Sequence, residues 1–236
     1  MFGILAIESS QRSVSVAIRG RDGVLHERTA TGDPREHDLL LPAIVALCED
    51  AQLTQRDLRA VAVSTGPGGF TGLRVSIATA KGLCEALGIP AIAVPSALVA
   101  AMGRRSEWLG GSGQVAVALA GKGEACWMTL IEADVSGVLK VNSAESILAS
   151  GFAPLRARML IADEHLPLAI GERARELGVA ILSPCFEARD CLAIAESSFD
   201  RGEVCDPVAL SVLYPRVPEA VTLWRARYPE GFTAKK

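Results

Sequence analysis

The stretch GPGGFTGLRVSIATAKGLCEALGIPAIAVPS, residues 66–96, holds a glycine-rich loop, an amphipathic segment and a short apolar run in succession. A buried strand is predicted just before it at residues 60–64, which are nearly all apolar. A helix is predicted from about residue 72 to residue 87, and Gly88 after it is typical of a left-handed helix cap. Strand 91–94 follows. The stretch therefore predicts a strand–loop–helix–strand unit of an α/β fold.

The helix in this stretch has two different faces. Apolar residues at steps of four, three, four and three predict the side that packs on a sheet. These residues are Leu73, Ile77, Ala80, Cys84 and Leu87. The opposite face carries Ala78, Gly82 and Ala86, and glycine inside a helix costs ~1 kcal/mol relative to alanine. We expect this face to admit a second helix, either from the same chain or from another chain.

The order of elements repeats along the chain. The first half reads strand, strand, strand, helix, strand, helix, strand, helix, at residues 2–8, 14–18, 24–30, 35–51, 60–64, 72–87, 91–94 and after Ser96. The second half has nearly the same order, with a helical turn in fourth place, at residues 114–120, 124–133, 138–141, 144–150, 158–163, 170–177, 179–182 and 189–201. Two ribonuclease-H-like units in tandem are the architecture of the actin, sugar-kinase and heat-shock-chaperone superfamily.

This repetition predicts a duplicated two-lobe α/β fold. The break falls near residues 104–113, where charge, a tryptophan and three glycines cluster. We expect one lobe at residues 1–105, a second lobe at residues 106–218 and a tail at residues 219–236.

Composition limits the class of protein. Of the 236 residues, 50% are apolar and 22% charged, so the chain buries enough apolar surface to fold. The net charge of −3 disfavours a stand-alone nucleic-acid binder, which normally carries a basic excess. Six scattered cysteines without a CxxC pair predict reduced thiols. The uncharged run 86–103 is interrupted by glycine and proline. The first residues of the chain carry no basic segment of the kind that begins a signal peptide. We therefore expect a soluble, cytoplasmic protein without a membrane segment.

The glycine-rich loop has two possible roles. Backbone N–H groups at a helix N-terminus bind anions, and glycines let a phosphate approach. The candidate ligand residues are Gly66, Gly68, Gly69, Thr71, Gly72 and Arg74. However, Thr71 stands where the Walker A and dinucleotide patterns require glycine. The alternative is architectural: the glycines permit a tight turn and close packing of the helix on the sheet.

Residues 66–96 resemble the signature of the TsaB family, the bacterial tRNA threonylcarbamoyladenosine biosynthesis proteins. Other segments support the resemblance. They are Ile4–Ser10 with Ser13–Ala17, His37 with Leu40-Leu41-Pro42, and the terminal Leu213-Tyr214-Pro215-Arg216. The likeness is close over residues 1–100 and loose beyond them.

The resemblance implies the duplicated actin-like fold and a non-catalytic paralogue with neither catalytic residues nor metal ligands of its own. It implies pairing with a TsaD-like catalytic paralogue and with a TsaE-like ATPase subunit, which would carry the ATP and the metal. The complex transfers a threonylcarbamoyl group to an adenosine beside the tRNA anticodon, so this chain meets tRNA only through the complex.

The chain departs from its relatives at three places. TsaD relatives carry a His-x-x-x-His metal pair after the last strand of this unit, where Ser96 and Ala100 stand here. Phosphate-binding relatives carry Asp and Gly at the end of the first strand, where this chain has Glu8-Ser9-Ser10. The second-lobe hairpin reads Leu119-Ala120-Gly121-Lys122-Gly123, whereas the family commonly has Asp-Ala-Arg.

A scaffold role is the leading hypothesis, and its interface is predicted on helices 35–51 and 72–87. The interface residues are Leu40, Leu41, Ile44, Leu47, Val75, Ala78, Thr79, Gly82 and Ala86. Alone, the chain is expected to use this surface for a two-fold homodimer. The alternatives are a small ATP-binding, kinase-like enzyme and an RNA-binding module that uses Trp224, Tyr228 and Phe232 of the tail. Asp163-Glu164-His165 is interpreted as a solvated loop.

Overall fold

The computed structural model describes residues 2–30, 39–110, 113–152, 157, 159–215 and 219–228. Its strands are β1 (Ile4–Glu8), β2 (Val14–Arg19), β3 (Leu25–Ala30), β4 (Ala60–Ser64), β5 (Ala91–Val94), β6 (Gln114–Lys122), β7 (Ala125–Ala133), β8 (Leu139–Leu148), β9 (Met159–Ala162) and β10 (Ala180–Leu182). Its helices are α1 (Leu40–Asp50), α2 (Phe70–Leu87), α3 (Ser96–Met102), α4 (Arg105–Trp108), α5 (Leu168–Glu176), α6 (Ala188–Asp200) and α7 (Glu219–Arg227).

The described strands form two five-stranded sheets with the same topology. The first has the order β3-β2-β1-β4-β5, and the second, read from its other edge, has the order β8-β7-β6-β9-β10. In each sheet the first three strands are antiparallel neighbours and the last two pair in parallel. This arrangement is the duplicated ribonuclease-H-like fold, and the predicted fold class is confirmed.

The central strands of each sheet are covered on both faces, so the protein has five layers. On β1, Leu5 and Ile7 contact the core beneath α1 and α2, whereas Ile4 and Ala6 face the core between the two sheets. The central core contains α3 and α6, and α5 covers the outer face of the second sheet. Because both faces of β1 and β4 are covered, every residue of these strands is buried.

The last helix of each half packs on the sheet of the other half. Helix α3 follows the first sheet in the chain but contacts β6, β7 and β8. Helix α6 follows the second sheet and lies on β1, β2, β4 and β5. The two helices also contact each other, and the Ala188 amide donates to Ser15 Oγ at 3.0 Å. The lobes therefore interlock through an exchange of helices.

The segment after α6 returns to the first sheet. Cys205 forms an antiparallel bridge with Ala91 at the edge of β5. Further on, the Leu213 amide donates to the Thr65 carbonyl at 2.8 Å, and Lys81 Nζ donates to the Val208 carbonyl at 3.1 Å. The end of the second half is thus part of the surface beside α2.

The structure corrects several predicted elements. Residues 144–148 belong to β8 and not to a helical turn, because they pair with β7 from Ala125 to Thr129, and only residues 149–151 form a 3-10 turn. Helix α1 is described from Leu40, and its predicted start at residue 35 lies outside the described residues. The tail contains helix α7. No helix among the described residues is both long and apolar enough to cross a bilayer.

Candidate functional site

The glycine loop is fixed to the start of α3 at its first residue. Gly66 has a φ of +105°, which favours glycine, and a Cβ there would lie 2.9 Å from the Leu213 carbonyl oxygen. The Gly66 amide donates to Ser96 Oγ at 3.0 Å, and the Ser96 amide donates to the Gly66 carbonyl at 2.9 Å. The positive φ and the close approach of the Leu213 carbonyl oxygen both explain why this position requires glycine.

The middle of the loop packs on the turn between β1 and β2. A Cβ on Gly68 would collide with the carbonyl oxygen of Ser10, and one on Gly72 would lie 2.5 Å from that of Ser9. The Gly69 amide donates to the Ser10 carbonyl at 2.7 Å. Gly69 itself has a φ of −62°, and its Cβ would make only ordinary contact, so the expected constraint is absent there. The two loops touch directly, which favours the architectural role.

Serine side chains bind these loops to one another. Ser9 Oγ donates to Ser76 Oγ at 2.6 Å, and the Ser9 amide donates to Ser64 Oγ at 3.3 Å. These hydroxyl groups are buried and connect the ends of β1 and β4 to α2. Ser76 interrupts the apolar side of α2, and the sequence analysis missed it because a serine there reads as a surface residue.

Arg74 is engaged outside the glycine loop, whereas Thr71 lines the cleft beside the loop glycines. Arg74 Nε donates to the Tyr214 hydroxyl at 2.7 Å, and its guanidinium lies 3.7 Å from the centre of the Phe70 ring. The Phe70 and Tyr214 ring centres are 5.7 Å apart. Thr71 is exposed at the start of α2. The cation suggested for an oxyanion therefore stacks on aromatic rings beside the C-terminal segment.

A cleft of about 1290 Å³ lies between the lobes. The β1–β2 turn at residues 9–14 and the loop at residues 67–72 form one wall, and residues 163–165 after β9 contribute to the other. Across the cleft, a Cβ on Gly121 would collide with the His165 carbonyl oxygen, so the β6–β7 hairpin packs closely on that loop. Burial raises the pKa of Asp163, whose Oδ1 accepts from the His165 amide at 2.9 Å.

Two acidic side chains lie near the start of α6, of which Glu8 is buried and Asp190 is half-buried. Glu8 is 1% exposed, its Oε1 accepts from the Ser10 amide at 2.7 Å, and burial raises its pKa. Burial also raises the pKa of Asp190 to about 6, and the charge of Asp190 adds to the rise in the pKa of Glu8. Asp190 lies within 4.8 Å of ligand atoms of Cys185 and Glu187, but Glu187 pairs with Arg189.

The positions of the missing metal histidines do not fit a metal ion. Ser96 and Ala100 are both 0% exposed on α3, in the core between the sheets. The Ser96 hydroxyl accepts a backbone hydrogen bond, and Ala100 has no ligand atom. These two residues therefore do not support any step of a metal-dependent reaction.

The predicted interface residues divide between the core and the surface. Leu40, Ile44 and Leu47 are buried against the sheet and support α1 from beneath. The members that reach the surface are Leu41, Val75, Ala78, Gly82 and Ala86, while Thr79 is half-buried. A Cβ on Gly82 would meet nothing within 4 Å, so α1 does not cover this side of α2.

Other apolar side chains extend this surface. Val45 on α1 is 58% exposed and Phe70 on α2 is 53% exposed. We call Leu41, Val45, Phe70, Val75, Ala78, Gly82 and Ala86 the α1–α2 face. The spacing of Leu41 and Val45 at i and i+4 is a signal that the sequence analysis did not use.

The tail and three of the residues named in the sequence analysis remain to be considered. His37, Arg216 and Phe232 lie outside the described residues. Trp224 of α7 and Tyr228 just after it make a tilted ring contact with centres 5.4 Å apart.

Comparison with known proteins finds relatives that are named for tRNA modification. A family model for tRNA N6-adenosine threonylcarbamoyltransferase, TsaD, matches residues 24–136. The tRNA threonylcarbamoyladenosine biosynthesis protein TsaB of Escherichia coli is 29% identical over 234 residues, which cover 91% of this chain and 98% of that protein. The TsaB protein of Bacillus subtilis is 34% identical over 107 residues, 45% of this chain and 47% of its own length.

Other relatives match over shorter stretches. An uncharacterised protein of Mycobacterium tuberculosis is 43% identical over 95 residues, which cover 39% of this chain and 45% of that protein. This chain therefore spans about half the length of the mycobacterial and Bacillus relatives that it matches. A solved structure of YeaZ from Pseudomonas aeruginosa superposes with a TM-score of 0.74 at 24% identity, covering 89% of this chain and 98% of that one. That likeness shows the fold.

Proposed function

We propose that the chain is a member of the TsaB family and serves as a non-catalytic scaffold subunit in the biosynthesis of threonylcarbamoyladenosine in tRNA. Its role is to bind and support a TsaD-like catalytic paralogue in the cytoplasm. A TsaE-like ATPase subunit joins them, and ATP and the metal belong to the partner subunits. The chain meets tRNA only through this complex.

The observation that carries the proposal is the chemistry of α3. Ser96 and Ala100 occupy the places of a metal-binding histidine pair, and both are closed inside the core. A side chain committed to the backbone of the glycine loop is not available to a metal or a substrate. Where a transferase centre needs metal ligands, this chain has a serine that joins the glycine loop to α3 and an alanine without a ligand atom.

The glycine loop supports the same proposal against a kinase-like alternative. Its Gly69 amide is used by the Ser10 carbonyl, and Gly68 lies too close to Ser10 to leave room between the two loops. A phosphate held by both loops would need that space. The contact supports a loop that maintains the fold.

The α1–α2 face supports a role in binding another protein. It carries exposed leucine, valine and phenylalanine side chains next to the small residues of α2. Exposed apolar side chains grouped on neighbouring elements are typical of interaction sites. We propose that the TsaD-like partner binds here, and that two copies of this chain bind each other here when the partner is absent.

Reconstitution tests the proposal. Purified chain, TsaD-like subunit and TsaE-like subunit from one organism are combined with unmodified tRNA, ATP and an activated threonylcarbamoyl donor, and threonylcarbamoyladenosine is measured by nucleoside mass spectrometry. We expect product only when this chain and both partners are present, and no stoichiometric zinc or iron in this chain alone. Transfer by this chain without partners contradicts the scaffold role.

A further inference from the structure

The cleft between the lobes has a buried hydroxyl group that the fold does not use. Ser10 is 0% exposed and lines the cleft, and its Oγ has no hydrogen-bond partner among the described residues. The neighbouring Ser9 differs, because its Oγ donates to Ser76 Oγ at 2.6 Å. Buried polar groups in folded proteins are nearly always hydrogen-bonded, so each exception calls for an explanation. The Ser10 hydroxyl is available to a molecule bound in the cleft.

Ala120 on the other side of the cleft has a strained backbone. Its φ is +53°, and in the described part of the chain Gln52 is the only other non-glycine residue with a positive φ. Strain of this kind is concentrated at binding and catalytic sites. Here the Ala120 amide donates to the carboxylate of Asp163. The irregular β6–β7 hairpin therefore holds an acidic side chain beside the cleft.

Asp163 is an acid whose charge is incompletely compensated. It is half-buried, and burial raises the pKa of its carboxyl group even though the amides of Ala120 and His165 donate to it. Glu164 next to it adds a second acid, with its Oε1 3.9 Å from His165 Nε2. Arg175 lines a separate, smaller pocket with these acids, but no arginine or lysine among the described residues forms an ion pair with Asp163. A bound cation would supply the missing countercharge.

The opposite wall of the cleft carries a cation. Arg12, in the β1–β2 turn, is exposed and lines the cleft. Among the described residues no acid pairs with it, and every other residue that lines the cleft from the first lobe is uncharged. The described lining is therefore positive on one side and acidic on the other.

We propose that this cleft binds a small zwitterion, a molecule that carries one ammonium group and one carboxylate group, as free amino acids and short peptides do. The ammonium group pairs with Asp163, the carboxylate group pairs with Arg12, and the Ser10 hydroxyl hydrogen-bonds to the bound molecule. The cleft volume of about 1290 Å³ is ample for such a ligand. This site is independent of the α1–α2 face, since neither Arg12 nor Asp163 belongs to that face.

Charge disfavours other classes of ligand. A nucleotide is repelled by Asp163 and Glu164, and the close contact of Gly68 with Ser10 leaves no space between the two loops for its phosphate. A polyamine satisfies Asp163 but is repelled by Arg12. An apolar compound leaves the Ser10 hydroxyl and both charges without partners. A zwitterion satisfies both walls at once.

A series of ω-amino acids tests the proposal and measures the spacing of the two charged groups. The series runs from glycine to 6-aminohexanoate, so that the ammonium and carboxylate groups move apart by one methylene at a time. NMR titration of the isotope-labelled full chain should show saturable binding for at least one member, a short one indicating an amino acid and a long one a peptide. ATP with Mg²⁺ and spermidine should bind at least about tenfold more weakly. Absence of saturable binding throughout the series, or tighter binding of ATP or spermidine, overturns the proposal.

Blocking each charge of the ligand identifies its partner in the protein. The methyl ester of the best-binding member lacks the carboxylate charge and the N-acetyl derivative lacks the ammonium charge, and each should bind the wild type at least about tenfold more weakly than the parent. Arg12→Ala should bind the ester and the parent equally, and Asp163→Asn should bind the N-acetyl derivative and the parent equally. If either variant still discriminates like the wild type, the assignment of the two walls is wrong and the proposal fails.

Matched variants separate loss of a ligand contact from damage to the fold. Arg56→Ala and Asp200→Asn remove exposed charges that do not line the cleft, and both should bind like the wild type. Ser10→Ala loses no hydrogen bond of its hydroxyl within the described protein, so it should melt at least as high as the wild type and bind at least about threefold more weakly. Arg12 has no partner that the fold requires, so Arg12→Ala carries the test even if Asp163→Asn melts early. Unchanged affinity in Ser10→Ala, or weak binding by the two control variants, contradicts the proposed site.

Discussion

Neighbouring glycines in the loop serve different purposes at the residue scale. Gly68 is required by contact, since its Cα lies against the backbone of Ser10, and Gly69 is not, because space is available around it. Both glycines carry the same sequence signal. The difference arises from the turn between β1 and β2, which is more than fifty residues away in the chain and invisible to local pattern.

Replacement of these two glycines by alanine separates the two cases. Gly68→Ala forces the β1–β2 turn away from the loop and should lower the free energy of unfolding by about 1–3 kcal/mol. Gly69→Ala is the matched control and should change it by less than about 0.5 kcal/mol. Urea denaturation followed by circular dichroism measures both. Equal stability of the two variants contradicts the architectural role of the loop.

Buried carboxyl groups near α6 give the protein a pH dependence. Burial raises the pKa of Asp190 to about 6, Arg189 lowers it, and the nearby Glu27 raises it further. The pKa of the unfolded Asp is about 3.9, so the folded state binds this proton more tightly. Stability from the protonated group is complete below about pH 4 and is lost as the pH rises through about 6.

Asp190→Asn removes this dependence. At pH 7.5 the variant should unfold at a higher temperature than the wild type, by a free energy on the order of 1 kcal/mol after allowance for partial exposure. At pH 4 the two proteins should melt together. Glu172→Gln on α5, an exposed acid, serves as the control, and differential scanning calorimetry across this range supplies the measurement. A variant that melts lower than the wild type at pH 7.5 contradicts the assignment.

Helix α2 shows, at the scale of elements, what a sequence pattern predicts well. Its buried stripe and its Gly88 cap depend on residues within the helix itself, and both predictions are confirmed, with Gly88 at a φ of 65°. Helix α1 shows a feature that a sequence pattern does not predict, namely which of its apolar residues are buried. Leu40, Ile44 and Leu47 are apolar like Leu41, and only the position of the sheet decides which of them are buried.

The prediction of a helical turn in the segment that forms β8 was wrong for a related reason. Its residues from Ser143 to Leu148 have no strong alternation, and all but Ile147 are exposed. Pairing with β7 holds them in extended form, and pairing is a non-local interaction that helix periodicity cannot reveal. The loop, helix and strand of residues 66–96 were therefore predictable, whereas the serine contacts and the stacked Arg74 required the assembled fold.

Gly82→Leu tests the exposed side of α2. The new side chain meets nothing within its own molecule, and leucine favours the helix by nearly 1 kcal/mol over glycine, so the variant should fold and melt at least as high as the wild type. It also fills the space that a second helix needs. Analytical ultracentrifugation should show a monomer, and immobilised variant should no longer capture the TsaD-like chain.

A matched leucine elsewhere provides the control. Glu172→Leu places the same side chain on exposed α5 and should keep both self-association and capture. If Gly82→Leu remains dimeric and captures the partner, the interface lies elsewhere on the molecule.

The exchange of α3 and α6 governs the behaviour of the whole molecule. Each sheet has one face covered by its own helices and the other by a helix from the opposite half. The central core is shared, so neither half contains a complete set of layers. The division at residue 105 follows the repeat in the sequence, but the packing unit spans both halves.

Fragments 1–112 and 113–236 test this shared core. Expressed alone, each leaves one sheet face uncovered, so neither should show a cooperative thermal transition. Mixed after refolding, they should form a one-to-one complex with circular dichroism close to that of the intact chain. A first fragment that melts cooperatively near the temperature of the intact protein shows that the lobes are independent.

The exchanged helix also sets the order of events while the chain is being synthesised. The first sheet is complete when residue 94 has left the ribosome, but α6, which covers its inner face, ends at residue 200. At about 5–20 residues per second, the ribosome needs roughly 5–20 s to make the intervening segment. During this time the inner-facing side chains of β1 and β4, including Ile4 and Ala62, are without their cover. The nascent first half is therefore a ready substrate for chaperones that bind apolar surface, and a pause in translation before α6 lengthens its exposure.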